Sequence, residues 1–174
     1  DDKAERHGGG VRVEDANVLV GQQRAGLLSG REGAGELGRQ VNAQHGTRAL
    51  ERGMKVFGLV GRARQAEREI AAGVDAIIAQ GYDAAGHTGD VGTFSIVPEV
   101  AAVAGDVPVI AAGGITTGRH VAAALCLGAH GVWTGTLWLA CRESDSDMII
   151  KEKLLAATAD DTVYSKSVSG FPMR

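Results

Sequence analysis

The hydrophobic pattern divides the chain in two. Before residue 54, apolar residues are scattered among Gly, Arg and Gln, as in GQQRAGLLSGREGAGELGRQ (21–40), with no sustained period of 2 or 3.6. Residues 1–53 therefore read as an irregular or poorly ordered leader, with one short strand candidate in ANVLV (16–20) and a weak helix over Val41–Leu50. From Met54 onward the pattern sharpens. KVFGLV (55–60) is a short apolar run of strand length. Arg62–Ala72 places Ala63, Ala66 and Ile70 at helical spacing, and Gly73 ends the helix. DAIIAQG (75–81) predicts a second strand. Residues 92–105 predict a helix with Ile96, Val100 and Val103 on one face, Pro98 being expected in its first turn, where no N–H is needed. VPVIAAGG (107–114) is a third strand, and Thr117 is placed to cap a helix over Arg119–Leu127 that stops at Gly128. GVWTGT (131–136) is a fourth strand, and Ser146 is the expected cap of a last helix carrying Ile150, Leu154 and Ala157.

Strand and helix thus alternate from residue 54, and each strand is a nearly continuous apolar run. Such strands are covered on both faces, which predicts a parallel sheet with helical crossovers. The pattern alone leaves open a closed barrel or an open doubly wound sheet. Strands that end repeatedly in Gly (AQG, AGG, TGT) favour a partial (β/α)8 TIM barrel, mainly its last four βα units, over residues 54–174. Val56, Leu59, Ile77, Val109 and Val132 are expected to line its interior or to pack under its helices.

Composition narrows the function classes. The sequence is 44% hydrophobic, enough for a true core. Its net charge of -3 gives no electrostatic case for nucleic acid or an anionic membrane. No apolar run reaches the roughly 18 residues of a transmembrane helix, and DDKAERHGGG at the start has no apolar signal-peptide core. Cys126 and Cys141 make no disulfide framework; their apolar neighbours predict buried, reduced thiols and a cytoplasmic protein.

The candidate chemistry lies where strands end. Gly113–Gly114 and Gly135–Thr136 each follow a strand, and the first pair precedes a helix. Backbone N–H groups free of a Cβ, backed by a helix dipole, suit a phosphate; the plainer reading is ordinary turn glycine. GYDAAGHTGD (81–90) sets His87 among small residues at the same end, where an imidazole can work as acid or base. His7, His45, His120 and His130 read as exposed bystanders. Gln80 ends its strand toward the same mouth with an amide that both donates and accepts. No HxxxH, CxxC or carboxylate cluster suggests a metal, and neither a GxSxG nor a Walker A loop is present.

The runs DAIIAQGYDAAGHTGDVGTFSIVPEV and VPVIAAGGITTGRHVAAALCLGAHGVWTGTLWLACRES, followed by KEKLLAATADDTVYSKSVSGFPMR, resemble the nitronate monooxygenase family in the order and spacing of AQG, AGH, AAGGI and GT. The resemblance runs from about Lys55 to Arg174 and does not extend over residues 1–53. It implies an FMN-binding (β/α) barrel that oxidises alkyl nitronates with O₂. It further implies that Gln80 meets the flavin, that the backbone at Ala85–Gly86, Gly113–Gly114 and Trp133, Thr134, Gly135 and Thr136 binds FMN, and that His87 is the catalytic acid/base. Ala85 stands where the family usually has Gly, and Asp83 where Glu is common.

FMN-dependent enoyl-acyl-carrier-protein reductases share the AGH, AAGGI and GT elements. Barrels like IMP dehydrogenase share the GGI loop but need a catalytic loop cysteine, whereas Cys126 falls in a predicted helix. An inert flavin- or phosphate-binding fragment is the reading from outside enzymology. Four barrel units also leave sheet edges open, from which self-association is expected.

Overall fold

The computed structural model describes residues 18–21 (as backbone), 49–86, 88–165 and 174. Most of the 1–53 leader, the 41–48 part of the weak helix and His87 lie outside the described residues. In chain order the elements are β1 (Val18–Gly21), β2 (Lys55–Val60), α1 (Ala63–Ala71), β3 (Ala76–Gln80), α2 (Thr93–Val103), β4 (Val109–Ala112), α3 (Gly118–Cys126), β5 (Gly131–Trp133), α4 (Thr136–Leu139), α5 (Met148–Ala156) and a 3₁₀ turn (Ala159–Asp161).

The strands form one five-stranded sheet in the order β1-β2-β3-β4-β5, every pair parallel. Parallel neighbours in sequence order, joined by helical crossovers, are the local topology of a (β/α) barrel. The sheet begins before the boundary drawn at residue 53, because β1, the ANVLV candidate, pairs with β2 from Val18↔Lys55 to Gly21↔Gly58.

The pleat sorts the side chains. Val56, Val60, Ile77, Ala79, Val109 and Ala111 join Ala66 of α1 and Ile96, Val97 and Val100 of α2 in one buried cluster, with Val132 packed against it. Leu59 pairs with Ile78 and so lies on the opposite face, toward the barrel interior. At the base of the sheet, Lys55 Nζ donates to Asp75 Oδ1 at 2.6 Å and Val56 N donates to Oδ2 at 2.9 Å. These bonds hold the Asp75 carboxyl below its ordinary pKa.

Several local expectations are corrected. Pro98 sits in the second turn of α2, not the first. The bond it forgoes is the one to the carbonyl of Phe94, an outward-facing residue that is 73% exposed, so water can serve as the partner. The cap of α5 is Asp147, whose carboxylate accepts from Ile149 N at 2.8 Å, while the Ser146 hydroxyl bonds Ser144 at 2.8 Å. Cys126 is exposed, because α3 turns Ala124 and not Cys126 toward the sheet, and Cys141, just past α4, is partly so. Thr117 caps α3 as expected, its hydroxyl accepting from His120 N at 3.4 Å.

Among the described residues no helix is long and apolar enough to cross a membrane, and no group of His, Cys, Asp and Glu is placed to hold a metal ion.

Candidate active site

The register brings three strand ends to one level. Gln80 pairs with Ala112, and Ala112 pairs with Trp133. All three share the face opposite the helices, and the next residues, Gly81, Gly113 and Thr134, leave the sheet at its C-terminal edge. The loops that follow carry Ala85–Gly86, Gly113–Gly114 and Trp133–Thr136, so the described candidate residues gather on one edge. Ala85, Gly114, Trp133, Gly135 and Thr136 are exposed there, with Gln80, Gly86, Gly113 and Thr134 partly covered. His87, one residue past Gly86, lies outside the described residues.

Two of these loops are locked together through Thr93, the first residue of α2. Its backbone N–H donates to Asp83 Oδ2 at 2.8 Å, and its hydroxyl donates to Gly113 O at 3.1 Å. Gly81 N donates to Ala112 O at 3.0 Å, and Ala84 N turns back onto Gly81 O at 3.1 Å. The fit leaves no room for a side chain at Gly81: a Cβ there would lie 2.1 Å from Thr93 Oγ1 and 2.2 Å from Thr93 N. Gly81→Ala is therefore expected to separate the loops and to cost about 3 kcal/mol or more, measured as the shift in a urea unfolding curve. Nothing local marks Gly81 for this role; its neighbour Thr93 is a dozen residues away in the chain, and no sequence pattern records their contact.

The glycines seen in the sequence divide by role. Gly113 faces protein, since a Cβ would lie 2.6 Å from Thr93 Oγ1 and 2.9 Å from Ala84 N. Gly114 is exposed and left-handed at φ 68°. Past β5, Trp138 Nε1 donates to Thr134 Oγ1 at 2.8 Å and Trp138 N donates to Gly135 O at 2.9 Å, which folds the turn after Trp133 into α4.

The structure adds residues that sequence reasoning missed. Thr88 Oγ1 is buried and has no hydrogen-bond partner, although it adjoins His87. Arg174 pairs its backbone with Gly86, accepting from Gly86 N at 3.1 Å and donating to Gly86 O at 3.2 Å. His120 and His130, read as bystanders, are exposed and serve the backbone: their Nδ1 atoms accept from Thr116 N at 3.1 Å and Val109 N at 3.2 Å.

A family model for nitronate monooxygenase matches residues 37–174. The chain belongs to the nitronate monooxygenase family. The match opens well before the boundary at residue 53. A Mycobacterium tuberculosis protein named as a monooxygenase is 51% identical over 127 residues, covering 73% of this chain and 34% of its own length. FabK from Thermotoga maritima superposes with a TM-score of 0.72 at 41% identity, over 76% of this chain and 42% of FabK. Nitroalkane oxidase from Streptomyces ansochromogenes gives 0.68 at 31% identity, over 76% of this chain and 41% of the oxidase. The chain thus spans about a third of the length of the curated relative and under half of each barrel structure. The nitronate monooxygenase family consists of flavin-dependent oxidoreductases, and this chain has the fold of part of their (β/α) barrel.

Proposed function

We propose that the protein is an FMN-dependent oxidase of alkyl nitronates that uses O₂, with His87 as the catalytic acid/base. The observation that carries the reading is the levelled edge of Gln80, Ala112 and Trp133, with glycine-bearing loops, in a chain of this family. FMN fits the residues present. Gly114 offers exposed backbone without a Cβ, and the buried Thr88 hydroxyl awaits a partner. Gln80 and the backbone at Ala85–Gly86 would hold the ring system, while Gly113–Gly114 and Trp133–Thr136 would hold the phosphate end. When bound, FMN supplies the electron acceptor. His87 manages a proton at the substrate. The partners are accordingly a small-molecule substrate and O₂.

The test is O₂ consumption by the flavin-loaded protein with propyl nitronate and no NADH. The likeness to FabK favours a second reading, FMN-dependent enoyl-acyl-carrier-protein reduction. In that case NADH oxidation with a crotonyl thioester proceeds and nitronate is untouched.

Two further properties belong to this reading. An exposed free thiol at Cys126 suits a reducing compartment, the cytoplasm. Among the described residues β1 and β5 are the sheet edges, and Leu137, Trp138, Leu139, Ile149 and Leu155 are exposed beyond β5. The 174-residue chain expressed alone is therefore expected to self-associate. Light scattering checks this, and a stable flavin-loaded monomer contradicts it.

A further inference from the structure

The loop that carries His87 is gripped from the far end of the sequence. Arg174 makes a two-way backbone pair with Gly86, the residue before His87. Its guanidinium stands 5.7 Å from the centroid of the Tyr82 ring, and its Nη1 is 3.7 Å from Asp83 Oδ1. The Tyr82 ring in turn lies against Gly92, where an added Cβ would come within 3.1 Å of its Cε1. The second oxygen of Asp83 already accepts from Thr93 N. Beyond His87, the Tyr164 hydroxyl donates to Gly89 O at 3.3 Å. Tethers from the C-terminal region therefore sit on both sides of residues 87–88.

We infer that Arg174 is a positioning residue for the reaction: it fixes, through Gly86, Asp83 and Tyr82, the β3–α2 loop in which His87 follows Gly86 in sequence. The inference rests on the role proposed for His87. Its physical basis is the steep dependence of catalysis on placement, in which a displacement of about 1 Å costs on the order of 100-fold. The backbone pair to Gly86 survives any change of side chain, so substitution loosens the loop without removing it. The planar guanidinium lies over the Tyr82 ring while also facing the Asp83 carboxylate, a combination an ammonium group matches only in part.

The experiment compares Arg174→Ala, Arg174→Lys and Tyr82→Leu in the flavin-loaded protein. For Arg174→Ala, kcat with propyl nitronate is expected to fall about 10- to 100-fold, with KM and flavin content near parental. Arg174→Lys is expected to recover part of the loss, and Tyr82→Leu added to Arg174→Ala to cost little more. Amide exchange at Gly86 is expected to quicken in Arg174→Ala, a readout that does not depend on turnover. An unchanged kcat, a loss of activity that only follows a loss of flavin, or unchanged exchange at Gly86 overturns the inference. If the parent does not oxidise nitronate, the proposed function fails, while the exchange data still decide whether Arg174 holds the loop. Should Arg174→Ala not fold, Arg174→Lys and Tyr82→Leu answer the same question.

Discussion

In a full-length protein that carries this chain, His87→Asn is expected to keep its FMN and to lose about 100- to 10,000-fold in nitronate turnover, the span that a positioned acid or base contributes. Asparagine preserves a polar, hydrogen-bonding side chain of similar reach but does not titrate, so it removes proton transfer and little else. In the sequence the residue falls between Gly86 and Thr88, in the segment that joins β3 to α2, so its replacement is expected to leave the apolar cluster under the helices intact. Flavin absorbance and steady-state O₂ consumption on the same sample separate the two effects. Turnover at the parental rate would make His87 a bystander.

Gly114→Val is expected to abolish FMN binding. Two penalties coincide at this position. The backbone is left-handed at φ 68°, a region a β-branched residue strongly resists. A Cβ would also lie 3.1 Å from Asp83 Cβ, pressing on the residue that caps α2 and faces Arg174. Gly118→Ala is the matched control, because a Cβ there meets nothing within 4 Å and the φ is not positive. The control is expected to bind flavin as the parent does. Equal flavin absorbance in purified Gly114→Val and parent would refute the assignment of this loop to the cofactor.

The sequence exposed those parts of the fold that depend on local repetition. α1 and α3 were legible because apolar residues recur at helical spacing and Gly73 and Gly128 mark their stops. The strands were legible as short apolar runs; burial on both faces explains β3 and β4, whereas β2 alternates and β5 has no buried residue. α4 was not, since four residues make a single turn and leave no period to detect. The cap of α5 was misplaced by one residue because Ser146 and Asp147 are both capable acceptors, and only the backbone path selects Asp147. Pro98 was misplaced because proline was expected only in a first turn, whereas the carbonyl it leaves without a partner in α2 is that of the exposed Phe94.

The candidate site was legible to the same extent and for the same reason. The strand ends and their glycines announce themselves in sequence, so Gln80, Gly113–Gly114 and Trp133–Thr136 emerge on one edge. The contacts that lock them are long-range. Arg174 stands beside Asp83 and Gly86, and Tyr164 beside Gly89, across gaps that carry no pattern. Thr88 drew no attention because an orphaned hydroxyl is a property of three-dimensional burial.

The tie at Thr93 has a consequence for how the protein breathes. One residue bonds Asp83 on one loop and Gly113 on the next, and Gly81 and Gly113 both press against it. The two loops consequently share their thermal fluctuations, and neither swings outward while the other stays. The wall that these two loops make at the C-terminal edge of the sheet is thereby expected to act as one piece.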